Sequence, residues 1–218
     1  MEVKNQKSKV KSIYEDENLV AINKPAGVNA DDFPRRVHRL DKDTSGILLI
    51  AKNDKALNFF QRQFKERKVK KKYLALVVGN LKNKEGEIKT LLGRSPKDRR
   101  KQKIYLPYEP KARGKRTAVT KYKVLQSFEN YDLIEVEPKT GRKHQIRAHL
   151  AYLGHPLAGD KLYGFKNQPT PQGLKRQFLH ANYLKIKFPN GKIKEFKSEL
   201  PKELNLCLSK LKPLSNHN

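Results

Sequence analysis

The chain has 218 residues, 36% hydrophobic and 33% charged, and its 49 Lys and Arg against 22 Asp and Glu give a formal net charge of +27. A charge that large resists compaction and calls for a polyanionic partner; nucleic acid leads, because no basic amphipathic helix suited to a membrane surface stands out. Cys207 is the one cysteine, which excludes an intramolecular disulfide and a thiolate metal cluster. MEVKNQKSKV has no apolar signal core and no run approaches the roughly 20 apolar residues of a membrane helix, so a soluble, cytoplasmic protein of one generous domain or two small ones is expected.

Residues 1–11 read as a loose basic arm. Ile13 and Tyr14 begin a strand-like stretch, a turn follows at residues 16–18, and residues 19–22 form a strand that Pro25 and Gly27 break. The segment VHRLDKDTSGILLIAK, residues 37–52, joins a charged loop to a short aliphatic strand over residues 47–51. Polar side chains are thereby set at the edge of a rigid scaffold, where catalytic groups commonly sit. Arg39 and Lys42 favour an ionised Asp41 if they approach it, as a nucleophile or base requires. The same residues, with Asp43, Thr44 and Ser45, also suit a turn that bonds its own backbone.

Residues 53–67 predict a helix capped by Asn53 or Asp54, with Leu57, Phe60 and Phe64 on one face. Its basic side and the run to Lys72 suit phosphate contact. Residues 73–78 form a strand closed by Gly79. A Tyr opening a strand, as Tyr73 does, is ordinarily a packing residue. Residues 92–116 are loop-rich and very basic, a long excursion suited to a nucleic-acid partner and expected to be partly ordered only on binding. Strands at residues 117–126 and 131–137 form a hairpin through residues 127–130.

A helix is predicted over about residues 143–153, stopped by Gly154, with Ile146, Leu150 and Leu153 on its apolar face. Arg147 lies between those apolar positions, and a buried-facing Arg calls for a carboxylate partner. Thr140, Gly141 and Arg142 at its start are placed to bind phosphate. His144 and His149 lack the four-residue spacing of a helical zinc pair and no third ligand is indicated, so no metal is assigned. Residues 159–164 read as a structural turn. Residues 183–188 and 192–196 form a hairpin about Pro189-Asn190-Gly191, and a helix through Leu204, Leu206 and Leu208 precedes a frayed tail at residues 211–218.

HRLD followed by TSG and an aliphatic strand resembles the catalytic motif of the RluA-like pseudouridine synthases, which isomerise uridine to pseudouridine in structured RNA. NKPAGV before it, then KKYLALVVG, GRSPKDRRKQ with GKRTAVTKY, GRKHQIRAHL, GDKLYG and LHANYLKIKFP resemble further family segments in the family's order. His38 and the TSG ending favour this family over the related RsuA-like synthases. The link between NKPAGV and His38 is shorter than is usual in the family.

The resemblance implies an α+β fold: a mixed, largely antiparallel sheet flanked by helices and loops, with a central basic cleft, over residues 12–210. Too few residues precede this domain to hold the S4-type RNA-binding domain that many members carry. It also implies that Asp41 is the catalytic residue, that Tyr73 stacks on the target base, and that Arg147 forms an ion pair with Asp41. Arg39, as the residue filling the gap left in the base stack, and His38, Thr44, Arg142 and His144 are the implied RNA contacts. Neither cofactor nor metal is required. The implied partner is structured RNA, large-subunit ribosomal RNA first and transfer RNA second, with no DNA, no membrane and a monomer by default. A non-catalytic RNA-binding or ribosome-assembly protein explains the charge equally well, but not the joint presence of Asp41, Tyr73 and Arg147. Another class of uridine-modifying enzyme would need a cofactor loop, and no convincing one is present.

Overall fold

Strand-forming runs dominate the chain. The computed structural model describes residues 10–214; most of the basic arm (residues 1–9) and the end of the tail (residues 215–218) lie outside the described residues. Ten strands follow in order: β1 (Ser12–Glu15), β2 (Leu19–Lys24), β3 (Ser45–Ala51), β4 (Lys70–Val78), β5 (Glu85–Arg94), β6 (Gln102–Tyr105), β7 (Arg116–Phe128), β8 (Tyr131–Pro138), β9 (Leu179–Lys187) and β10 (Ile193–Lys197). The helices are α1 (Asp54–Lys65), α2 (Gln145–Tyr152) and α3 (Lys202–Ser209). None of them is long and apolar enough to cross a membrane. The architecture is α+β, as expected.

The chain divides into two compact units, one of Met1–Lys72 with His180–Pro201 and the other of Tyr73–Leu179 with Lys202–Asn218. In the first, strands lie in the order β1-β2-β3-β9, with β10 on β9. All pairs are antiparallel except β3 with β9, where Ser45 faces His180 and Gly46 faces Ala181. Alternation in β2 and β3 sends Leu19, Ala21, Ile47 and Leu49 to one face, where they meet Phe60 of α1 and Leu184, Ile186 and Phe188. Asn53 caps α1 by accepting a hydrogen bond from the Ala56 N–H at 2.8 Å, as anticipated. Burying Phe60 fully contributes about 1.5–3 kcal/mol.

Gly46 is the tightest point of this unit. Its φ is +118°, and a Cβ there would lie 2.6 Å from the Ala181 nitrogen. Gly46→Ala combines left-handed strain with a backbone clash, so it should destabilise by about 3 kcal/mol or more. A lowered urea midpoint at unchanged m-value is the expected reading.

The second unit carries the order β4-β8-β7-β5-β6, antiparallel throughout. Ala75, Val77, Ile134 and Val136 pack beneath Ile146 and Leu150 of α2. A bulge between Val124 and Gln126 turns Leu125 out to solvent. Two features differ from expectation. Residues 92–116 hold the end of β5, all of β6 and the start of β7, paired in register from Leu91↔Tyr105 to Arg94↔Gln102. The excursion thus carries a short strand pairing between its loops, because Leu92 and Tyr105 point inward while Lys97 and Lys103 point out. Helix α2 starts at Gln145, two residues late, because His144 takes a left-handed conformation (φ 54°).

Candidate active site

Asp41 sits in the connection that feeds β3. Its carbonyl accepts the Thr44 N–H at 3.0 Å, closing a tight turn over Lys42 and Asp43. Beneath the turn lies Lys24, fully buried, at the end of β2. Its ammonium donates to the carbonyls of Pro25 and Val28, both at 2.8 Å, and of Lys42 at 3.0 Å. Lys42 also accepts the Gly27 N–H at 3.0 Å, so the NKPAGV turn and the Asp41 turn are fastened together. A buried ammonium is tolerated only with such partners.

On the far side of the turn, Ser45 Oγ lies 2.9 Å from His180 Nδ1, both residues buried. His180 Nε2 is 3.2 Å from the Ser198 carbonyl, which can only accept. Nε2 therefore carries the proton and, in the neutral ring, Nδ1 accepts from the Ser45 hydroxyl. Thr44 is buried, and its hydroxyl has no hydrogen-bond partner among the described residues.

Arg39 is exposed. His38 is not available in the same way. Its ring stacks on Phe64 at 4.7 Å between centroids, and Nε2 accepts the Leu49 N–H at 3.2 Å. Burial, and then the charge of Lys71, push its pKa down to about 3, so the ring is neutral at pH 7. Lys71 lies over the other contact of that stack, 5.7 Å from the Phe64 centroid, and burial lowers its own pKa to about 8. This environment gives His38 a packing role in the loop.

In the other unit, Arg147 of α2 is buried and has the carboxylate that its position demands, Asp160. Nε donates to Oδ2 at 2.6 Å and Nη2 to Oδ1 at 2.8 Å, a bidentate pair. Asp160 Oδ1 also accepts the N–H groups of Leu162 and Tyr163 at 2.9 and 3.0 Å. Burial works against its charge, but the Arg147 hydrogen bond and charge and these two N–H groups outweigh it, and the carboxyl is held below its usual range. The GDKLYG turn is therefore the mount of the arginine.

Tyr163 gathers its neighbours. The Arg147 guanidinium lies 5.0 Å from its ring centroid, and its hydroxyl accepts the Gln102 N–H at 2.6 Å. His144 Nδ1 is 3.1 Å from the same hydroxyl. Arg142 is partly buried, with Nε donating to the Thr117 carbonyl at 3.3 Å and its N–H bonded to Gln145 Oε1 at 3.0 Å. Tyr73, at the second unit's end of β4, is half-buried and packs on that unit's core opposite Val136. The structure thus brings Arg142, His144 and Arg147 together around Tyr163 and Asp160, and sets Asp41 beside Thr44 in one turn. Lys24, Asp160, Tyr163 and His180 were not singled out from the sequence.

A buried polar chain backs α2. Thr140 Oγ1 donates to Gln145 Oε1 at 2.7 Å, and Gln145 Nε2 donates to Thr120 Oγ1 at 2.9 Å. His149 bridges Thr120 and Thr90, 2.8 Å from Nδ1 and 3.0 Å from Nε2. Burial pushes the pKa of His149 down to about 4. Between that value and about 6.5 the unfolded ring holds a proton that the folded one does not, so stability falls as pH drops through this window. His149→Gln should flatten the decline, as read from urea midpoints at pH 7 and 4.5. Among the described residues, no group of three or more His, Cys, Asp or Glu side chains is placed to hold a metal.

Residues 28–152 match the RNA pseudouridylate synthase family. The chain is 36% identical over 228 residues to the ribosomal large subunit pseudouridine synthase D of Borreliella burgdorferi, covering 90% of this chain and 67% of that protein. It is 37% identical over 202 residues to the ribosomal large subunit pseudouridine synthase C of Vibrio parahaemolyticus, covering 82% of this chain and 62% of that protein. The chain thus spans about two thirds of the length of these relatives. Human RNA pseudouridylate synthase domain containing 1 superposes with a TM-score of 0.81 at 29% identity, over 95% of this chain and 89% of the human one. The matched stretch runs through the Asp41 turn and the Arg147 helix alike, and the chain belongs to the RNA pseudouridylate synthase family, whose reaction is the isomerisation of uridine within RNA.

Proposed function

We propose that this chain converts specific uridines of large-subunit ribosomal RNA to pseudouridine, with Asp41 as the residue that starts the reaction. The reading is carried by Asp41's position on a turn fastened through Lys24 and followed directly by the His180-anchored Ser45. Such bracing fits a carboxylate that must be presented accurately. The names of relatives such as those of Borreliella burgdorferi and Vibrio parahaemolyticus support the ribosomal target.

The chemistry asks for few groups. The uridine must leave its stack, at roughly a few kcal/mol. Phosphate contacts to the many lysines and arginines offset this through counterion release. Arg39, exposed beside Asp41 in sequence, fills the vacated place in the stack, and Tyr73 offers the extruded uracil a flat face. Asp41 begins cleavage of the bond between ribose C1′ and uracil N1. The uracil turns, C5 bonds to C1′, the C5 proton leaves and N1 takes up a proton, so the product is an isomer of the substrate. Arg147, held by Asp160, supplies the positive charge that favours an ionised Asp41. Arg142 and His144 contact the RNA backbone, and Thr44 offers its hydroxyl to the substrate nucleotide. No electron carrier enters this balance.

The test is position-resolved carbodiimide mapping of RNA from cells with and without the protein. Loss of one or a few large-subunit ribosomal pseudouridines is expected. Loss confined to transfer RNA would overturn the target, and an unchanged map would overturn the activity.

A further inference from the structure

Tyr108 is 81% exposed, on a loop whose backbone is fastened on both sides. The loop after β6 reads Leu106-Pro107-Tyr108-Glu109-Pro110. The Glu109 N–H bonds the Leu106 carbonyl at 3.0 Å, closing a turn with Pro107 at its second position, where a fixed φ suits it. The Glu109 carboxylate reaches back to the Leu106 N–H, also at 3.0 Å, and lies 3.8 Å from the Lys103 ammonium. The Ala112 N–H bonds the Glu109 carbonyl at 2.9 Å, and Ala112 is buried, so the far side of the loop is anchored as well. The turn therefore presents its ring from a backbone with little freedom left to lose on binding.

The ring belongs to a strongly basic segment. Across residues 103–116 there are five cations, Lys103, Lys111, Arg113, Lys115 and Arg116, against the single acid Glu109. Lys103 and Lys115 lie 4.8 and 5.0 Å from the ring centroid of the neighbouring Tyr105, so that tyrosine is already engaged and Tyr108 is the aromatic face turned to solvent. A presented aromatic ring in so basic a segment fits a partner that pairs flat apolar faces with phosphates at short intervals. A single-stranded nucleic acid does so; a duplex hides its base faces.

We propose that Tyr108 is a stacking platform for one unpaired base of the RNA substrate, with Lys103, Lys111 and Arg113 taking the flanking phosphates. The inference rests on the RNA reading above and adds to it a place on the β6–β7 loop and a requirement for unpaired RNA there.

The protein contains no tryptophan, so Tyr108→Trp introduces a single indole, selectively excitable above the tyrosines, at the proposed platform. The probes are an RNA hairpin with a single-stranded loop and a blunt duplex of equal length. Tyr108→Leu should weaken hairpin binding roughly 5- to 100-fold, the range of one lost base–aromatic stack, and leave duplex binding within about twofold. Tyr108→Trp emission should be quenched by the hairpin and not by the duplex. Hairpin binding by Tyr108→Leu within twofold of wild type, or unchanged Tyr108→Trp emission, overturns the proposal. So does a response to phosphatidylserine vesicles in place of RNA. If the wild-type protein binds neither RNA, the RNA reading itself fails and this inference fails with it.

Discussion

Asp41→Asn is expected to abolish pseudouridine formation, a fall of roughly 10⁴-fold or more, while RNA binding stays within about twofold. The exchange keeps the shape of the side chain and removes its charge and nucleophilicity. The Asp41–Thr44 turn uses the Asp41 carbonyl, not its carboxylate, so the turn survives the substitution. Every lysine and arginine is also retained. Release of tritium from RNA labelled at uridine C5 reads the reaction directly, since that hydrogen departs when C5 bonds to the ribose. Activity close to wild type would remove Asp41 from the mechanism. Asp41→Glu should be nearly as damaging, because a carboxylate displaced by one methylene loses its alignment.

Asp160→Asn should be the most destabilising polar substitution in the second unit, by about 3–5 kcal/mol. The neutral side chain leaves the buried Arg147 guanidinium without its bidentate partner. The pH dependence follows from the lowered carboxyl pKa of Asp160. Its contribution is complete above the unfolded value near pH 4 and disappears as pH falls through the lower folded value, because the unfolded carboxyl takes up its proton first. Urea midpoints across pH 2–7 should show this acid limb in the wild type and not in the variant. Pairing Asp160→Leu with Arg147→Met removes both charges and should recover much of the stability. It should not recover activity, which separates the structural pair from the proposed support of Asp41. An active double variant would leave Arg147 no part in the chemistry.

Legibility differed between the strings that carry motifs and the segments that carry charge. The aliphatic run after TSG announced β3, and the spacing of Ile146 and Leu150 announced α2 with Arg147 on its inner side. The rule that a buried arginine needs a carboxylate was sound, and the structure supplies one in Asp160. Asp160 was hidden because an Asp between Gly159 and Lys161 reads as a turn residue, and it does bond the turn's N–H groups as well. Strand β5 has an inward alternation at Ile88, Thr90 and Leu92, but Gly86, Leu91 and Gly93 blur it. Strand β6 is four residues long with a single buried position, too little pattern to stand out among lysines. Strand β5 owes its existence to pairing with β7, a contact between distant residues that local periodicity does not report, and β6 is in turn held by β5. Lys24 and His180 escaped notice for a similar reason: each is defined by the carbonyl or hydroxyl that the fold carries to it.

The Lys24 ammonium makes two surface turns into one mechanical part. Swinging the Asp41 turn outward would strip a carbonyl from a cation sealed in the interior, unless the Pro25–Val28 turn travelled with it. Loosening of this corner is therefore all-or-nothing, and an RNA that pries at either turn must work against both.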